Sequence, residues 1–333
     1  MVNNELDLEL TEEEFELFRD FIHEQAGIFF ADNKMYLVKN RLCKRINELG
    51  IRNYKDYFYR VKYDVTMREF NYLMDLVTTN ETSFFRNPPQ LKSFSEEALQ
   101  VVIKNKVENN KPKSIKIWSA GCSTGEEPYT LAMILLEHLG TALGWNIEIV
   151  ATDISERVLT TARRGLYNEI ALRTTPKDLI KKYFSHDGQK YAINPAVKNL
   201  VRFGFLNLHD SRKLSMYSNM DFIFCRNVMI YFSDEVKKQL VRGFYNSLAP
   251  GGYFYIGHSE SLHGISRAFK LVYFKNALVY NKEESRGGVD TAARDIQGKK
   301  LAITTGAGSG AGKAIELLKK IKPMSNNRVG NTG

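Results

Sequence analysis

The hydrophobic period of this chain changes about a third of the way along. Through residues 11–76, apolar positions recur three and four residues apart, the spacing that gathers them on one face of a helix. "LTEEEFELFRDFIHEQAG" places Phe15, Phe18, Phe21 and Ile22 on such a face. Thr11 followed by Glu14 predicts a capping box at its start, and Gly27 predicts its stop. "NKMYLVKNRLCKRINELG" repeats the spacing through Leu37, Val38, Leu42 and Ile46 and ends at Gly50, and "NYKDYFYRV" and "TMREFNYLMDLVT" predict two more helices. Nothing in this stretch alternates as a strand does, so the first unit reads as all helical. "NPP" at 87–89 then breaks the chain, a helix over roughly 90–108 follows, and "ENNKPKS" is a polar linker.

Beyond the linker the period shortens. "IKIWSAG" (115–121), "NIEIVATD" (146–153), "MDFIFCRN" (220–227) and "PGGYFYIG" (250–257) are apolar runs of strand length. Between them lie helical patterns in "EEPYTLAMILLEHLG", from Ser155 to about Gly165, and over 234–248. This alternation predicts a mostly parallel sheet covered on both faces. Residues 168–206 are too long and too broken for one crossover, and "QKYAINPAV" and "NLVRFGFLNL" read as short extra strands of an insert. "FKLVYFKNALVYNK" (269–282) predicts a tight hairpin around Lys275-Asn276. Past Lys282 the chain is glycine-rich and basic and reads as a flexible tail with one weak helix at 313–322. Its "GAGSGAGKA" departs from a phosphate loop: Ala307 stands where the first glycine is needed, and Ala314 follows Lys313 where Ser or Thr is required.

Composition adds three constraints. No run of about 18 apolar residues is present, and the opening "MVNNELDLELTEEEFE" is acidic, the opposite of an export signal. The three cysteines, Cys43, Cys122 and Cys225, are far apart, which suits a reducing compartment, and the last two fall in or beside apolar runs as buried thiols. The net charge of +9 is unevenly placed: from Lys282 onward there are 10 basic and 5 acidic residues, leaving +4 for the rest. Within that rest, residues 34–68 hold 10 Lys and Arg against 3 acids. The body is near neutral with one basic N-terminal patch.

The candidate chemistry lies at strand ends. In "WSAGCSTGEEPYT" small residues after a strand let the chain turn tightly and point backbone N–H groups at a ligand. Glu126 and Glu127 would repel a pyrophosphate but suit a positive amino group; equally, they are ordinary acids at a helix's positive end. Asp153, at the end of the next run, is placed to accept both hydroxyls of a ribose, or to cap the helix that begins near Ser155. Loop and acid together favour an adenosine-bearing ligand with a positive far end, a property of S-adenosylmethionine. Asn207, in "NLHD", can bond an adenine edge or the loop backbone, and Asn227, in "CRNVMIYF", can anchor an amino-acid group. Arg226 follows a buried run directly and needs a partner there, with Tyr231 a few residues on. Each of these is also an ordinary turn residue. The histidines show no metal-ligand spacing, and "IGHSES" fails the serine-nucleophile pattern.

As a set, "TTNETSFFR" (78–86), "WSAGCSTGEEPYTLAM", "ATDIS", "FLNL" and "DFIFCRNVMIYF" resemble the successive motifs of the CheR-type chemotaxis receptor methyltransferases over roughly residues 10–282. The resemblance implies an α/β fold: a class I S-adenosylmethionine-dependent methyltransferase (Rossmann-like) domain over 90–282, with a small β-subdomain inserted at about 168–206. An all-helical receptor-docking domain (1–89) would precede it and the tail (283–333) would follow. It implies transfer of a methyl group from S-adenosyl-L-methionine to glutamate side chains of chemoreceptors, giving methyl esters and S-adenosyl-L-homocysteine. Carried over, the cofactor contacts fall on Asn80, Thr82, Arg86, Glu127, Asp153, Asn207, Leu208, Arg226 and Asn227, with Arg86 and Tyr231 beside the departing methyl group. Phe84 and Phe85 would pack the wall behind. The basic patch, through Lys39, Arg41, Lys44, Arg45 and Arg52, would meet the acidic flank of the receptor's cytoplasmic helical bundle. The expected protein is a cytoplasmic monomer with no metal, no nucleic acid and no membrane insertion. Two rivals remain at this point: a nucleic-acid methyltransferase using the same patch, and a signalling module that holds the cofactor without turnover.

Overall fold

The computed structural model describes residues 8–78, 80–140 and 144–284; the rest of the tail, including the expected helix at 313–322, lies outside the described residues. The N-terminal unit is helical as expected. Helix α1 (Glu12–Ala26) opens on a capping box: Glu14 N donates to Thr11 Oγ1 (3.2 Å), and Thr11 N donates to Glu14 Oε2 (3.1 Å). It stops at Gly27, whose left-handed φ of 72° suits glycine. Helices α2 (Met35–Glu48), α3 (Tyr54–Lys62) and α4 (Arg68–Val77) complete the unit. Phe15, Phe18, Ile22, Val38, Leu42, Ile46, Phe58 and Leu73 fill its centre. Pro88 and Pro89 then occupy the first turn of α5 (Pro88–Ser93), where a missing N–H costs little. A wider turn at Phe94–Ala98 joins it to α6 (Leu99–Glu108).

The second unit alternates strand and helix. Strand β1 (Ser114–Ala120), α7 (Glu126–Leu139), β2 (Asn146–Asp153) and α8 (Glu156–Arg164) come first. The middle part is made of β3 (Leu166–Tyr167), α9 (Lys177–Tyr183), β4 (Phe184–His186), β5 (Tyr191–Ile193), α10 (Pro195–Lys198), β6 (Val201–Phe205) and α11 (Ser211–Leu214). Strand β7 (Met220–Cys225), α12 (Asp234–Ser247), β8 (Leu248–Ile256) and the hairpin β9 (Lys270–Tyr273) and β10 (Leu278–Asn281) close the fold. The main sheet has the order β6-β2-β1-β7-β8-β10-β9. Its strands pair in parallel from β6 to β8, and β10 runs antiparallel to both neighbours.

One strand is reassigned. "VRFGF", grouped by sequence with the insert, is β6, and it pairs in parallel with β2 from Ile149↔Val201 to Asp153↔Phe205. The separate small sheet is only β3-β5-β4. An edge strand of the main sheet and a strand of an insert share the same short alternating pattern, so the pattern alone does not choose between them.

Side chains alternate across the sheet and feed two cores. Trp118, Ala120, Ile223 and Cys225 face one side and share a continuous core with the N-terminal helices and α12. Ile115, Ile117, Phe222 and Phe224 face the other, against α5, α6, α7 and the small sheet. The helical unit is thus fastened to the carboxyl end of the sheet rather than tethered loosely. Ile28 bridges Phe232, Asn207 Nδ2 donates to Gln25 O (2.7 Å), and Ser155 Oγ donates to Asp75.

Candidate active site

These fastenings border a cleft where the parallel strands end. Ligands of open α/β sheets sit in this place. All ten site residues expected from sequence line it: Asn80, Thr82, Arg86, Glu127, Asp153, Asn207, Leu208, Arg226, Asn227 and Tyr231. Ala26, Ile28 and Val228 line it as well. Ala26 ends α1 and Ile28 follows its glycine cap, and nothing near them in sequence marks a site.

The segment 80–86 is held as a wall. Phe84 is fully buried and meets Tyr167 and Phe184 of the small sheet edge-on, with centroids at 4.7 and 5.1 Å. Phe85 adopts a left-handed φ of 53°, a strained conformation for a bulky residue, and its N–H donates to Thr130 Oγ1 (3.1 Å). Arg86 Nη1 donates to Glu81 O (3.0 Å), which folds the segment on itself and leaves the half-buried guanidinium on the cleft.

In the loop after β1, four of the N–H groups expected to point at a ligand are engaged within the protein. Gly121 N and Cys122 N both donate to Thr152 O, Ser123 N donates to Asp153 Oδ2 (2.8 Å), and Gly125 N donates to Cys122 O. A phosphate would find these donors engaged, and the carboxylates decide what the loop can hold. Gly121 is required here: at φ 79°, an added Cβ would lie 2.4 Å from Val228 Cγ2. The two glutamates part company. Glu126 turns inward under the Thr124 hydroxyl, and burial pushes its carboxyl up. Glu127 faces the cleft.

Asp153 is buried at the tip of β2, and its carboxylate accepts Ser123 N and Ser155 N. Burial raises its pKa above the ordinary aspartate value despite those bonds. The helix cap itself is Ser155, whose Oγ accepts Val158 N. Arg226 finds its partner in Glu127: Nη1 lies 3.1 Å from Oε2, while Nη2 donates to Arg86 O (2.8 Å) and Nε is buried without a partner. Glu127 also accepts Ser119 Oγ (2.7 Å). Asn207 takes the backbone alternative, with Nδ2 on Gln25 O and Oδ1 accepting His209 N (3.0 Å). Cys122 and Cys225 are buried and free, and burial holds both thiols well above their ordinary pKa.

The basic patch is less uniform than its sequence. Arg45 is paired through Nε and Nη2 with Glu69 (2.8 and 2.9 Å) and stacks over Tyr72 (3.9 Å), and Arg41 donates to Val77 O. Both guanidiniums therefore work inside the helical unit. Lys44 and Arg52 stay exposed.

Two carboxylates and a buried arginine at the carboxyl edge of a β6-β2-β1-β7-β8-β10-β9 sheet suit a cofactor with a ribose diol and a cationic amino acid. Asp153 can accept the diol, Glu127 can receive the ammonium, and the spare Nε of Arg226 can meet a carboxylate. Fold and site together define a class I S-adenosylmethionine-dependent methyltransferase. The comparisons agree and are narrower. Residues 80–278 match the CheR methyltransferase SAM-binding domain, and residues 13–78 match the CheR methyltransferase all-alpha domain. The chain is 36% identical to chemotaxis protein methyltransferase 2 of Vibrio cholerae over 275 residues, 82% of this chain and 94% of that one. It is 36% identical to chemotaxis protein methyltransferase 1 of Pseudomonas aeruginosa (80% and 97% covered) and 33% identical to the Escherichia coli chemotaxis protein methyltransferase (79% and 90%). The chain belongs to the CheR methyltransferase family: it is a methyltransferase of chemotaxis that uses S-adenosylmethionine.

Proposed function

We propose that the protein transfers the methyl group to glutamate side chains of chemoreceptors, giving glutamate methyl esters. The observation that carries this reading is that Arg86 and Tyr231 line the same cleft as the carboxylates of Asp153 and Glu127. When bound, the cofactor supplies a methyl carbon on a positively charged sulfur. A glutamate side chain, with a reference pKa of about 4.3, arrives already ionised at neutral pH and needs no general base. What the protein must add is alignment and exclusion of water. Arg86 is placed to clamp the incoming carboxylate and Tyr231 to orient it, while Asp153 and Glu127 hold the cofactor's two polar ends. Lys44 and Arg52 offer the exposed charge for an acidic receptor flank.

One observation favours nucleic acid as the acceptor. Tyr59 and Tyr63 are exposed and stacked (6.0 Å, 9°) beside Lys62 on α3, the kind of aromatic-basic surface that binds single strands. Neither tyrosine lines the cleft. Incubation with methyl-labelled cofactor and either receptor cytoplasmic fragments or RNA decides the matter. Alkali-labile label on the receptor supports the proposal; label on RNA alone replaces it.

A further inference from the structure

Glu260 lies in the loop after β8 and does not line the cleft. Its carboxylate nevertheless gathers backbone donors from two loops. Oε2 accepts Gly257 N (2.6 Å) and Asn227 N (2.9 Å), and Oε1 accepts Ile230 N (3.1 Å). The two loops follow β7 and β8, which pair directly in parallel up to Cys225↔Ile256. Space is closed around the carboxylate: an added Cβ on Gly257 would lie 2.7 Å from Glu260 Oε2 and 2.9 Å from Asn227 N.

The turn that Glu260 ties down has an unusual backbone path. Asn227 has a left-handed φ of 59°, and the short 3₁₀ turn Met229–Tyr231 follows at once. This path puts Asn227, Val228 and Tyr231 on the cleft wall while Ile230 points to solvent. Asparagine tolerates left-handed backbone, but the path of the whole turn still depends on what holds its N–H groups. Three convergent N–H groups repel one another unless an acceptor neutralises them, and a carboxylate does this with charge-assisted bonds. Phe29 N also donates to Tyr231 O (2.8 Å), but that bond leaves the Asn227 end of the turn unheld.

We propose that Glu260 is a positioning residue: it touches no ligand, and its carboxylate fixes the Asn227–Tyr231 turn in the shape that presents Asn227 and Tyr231 to the cofactor cleft. The proposal rests on the assignment of this cleft to S-adenosylmethionine and not on the identity of the methyl acceptor. The test uses full-length wild type, Glu260→Ala and Glu260→Gln, with S-adenosylhomocysteine as the probe. Calorimetric affinity, amide hydrogen exchange and the thermal midpoint are measured without any acceptor present. Glu260→Ala should bind the probe about tenfold more weakly at a temperature where it is fully folded, a change of about 1.4 kcal/mol. Amides of Asn227 and Ile230 should exchange faster, while those inside β7 keep wild-type protection. Glu260→Gln, which keeps one oxygen for the Oε2 pair, should fall between. Wild-type affinity in a folded Glu260→Ala overturns the proposal, as does a loss that vanishes once the unfolded fraction is removed. If Glu260→Ala does not fold, Glu260→Gln decides: unchanged affinity and turn exchange overturn the role. A wild-type protein that fails to bind the probe would instead remove the cleft assignment itself.

Discussion

Each end of the central sheet holds a largely shielded ion pair, and the two pairs are finished differently. At the amino end, Lys106 Nζ lies 2.6 Å from Asp221 Oδ1 and also donates to Ser114 O (2.6 Å), while Lys116 N donates to Asp221 Oδ2 (2.9 Å). At the carboxyl end, Arg226 meets Glu127 and Arg86 O but keeps one buried Nε without a partner. Backbone strain divides in the same way. Left-handed residues near the amino end are Asn110 and Asn219, a type that tolerates the conformation; the carboxyl end has Asn87 and Asn227 but also bends Phe85 and Ser123 into it. The closed pair fastens α6 to the sheet. The open pair leaves donors and shape for a ligand, and the difference separates structure from function within one fold.

The largest effect expected from this contrast comes from breaking each pair. Arg226→Met and Lys106→Met should each destabilise the protein by about 3 kcal/mol, because each removes the cationic partner of a largely shielded carboxylate. Urea unfolding checks that they match. Calorimetry with S-adenosylhomocysteine should then separate them, with binding lost in the Arg226 variant and kept in the folded Lys106 variant. Equal binding in both would erase the contrast.

Asp153→Asn should weaken S-adenosylhomocysteine binding by more than about tenfold, since charge-assisted bonds contribute roughly 1.5–3 kcal/mol. The sign of the pH effect follows from burial. The accepting form is the ionised one, and burial raises the pKa, so affinity is present above that pKa and falls as pH drops through it. In wild type the acid limb should therefore begin above the range of an ordinary aspartate, near 3.9. Asp153→Asn should flatten it, as titrations of affinity from neutral to acid pH will show.

The sequence made much of this legible because the signals were local. The Thr11–Glu14 box, the limits of β2 and the 274–277 hairpin turn each depend on residues within a few positions of one another. Asp153, Asn207, Arg226 and Asn227 were legible because they sit at or just past the ends of apolar runs, which parallel strands bring together, whereas Asn80, Thr82, Arg86 and Tyr231 were marked only by the family motifs. What escaped was long-range. That β6 joins β2, that Asn207 bonds Gln25 across 182 positions, and that Arg45 answers Glu69 are pairings without a local signature. Glu260 escaped for another reason: "GHSES" invites a test for a nucleophile, and its glutamate acts through backbone groups that sequence does not display.

Smaller effects refine the carboxyl end. Arg86→Lys keeps charge but loses the planar fork. Turnover with receptor fragments should fall about tenfold while S-adenosylhomocysteine affinity changes less. Equal losses would make Arg86 a cofactor contact only. The smallest effect belongs to the N-terminal patch. Lys44→Glu with Arg52→Glu, chosen because Arg45 is already engaged with Glu69, should raise KM for receptor a few-fold and leave cofactor affinity alone. Salt between about 50 and 300 mM should narrow the gap between variant and wild type.

The most direct measurement is peptide mass spectrometry of a receptor cytoplasmic fragment after incubation with the protein and S-adenosylmethionine. The account predicts one added methyl group on glutamate side chains, removed by mild alkali and missing when Asp153→Asn replaces wild type at limiting cofactor. Methylation confined to other residue types, or a receptor left unmodified while RNA acquires the methyl group, would contradict it.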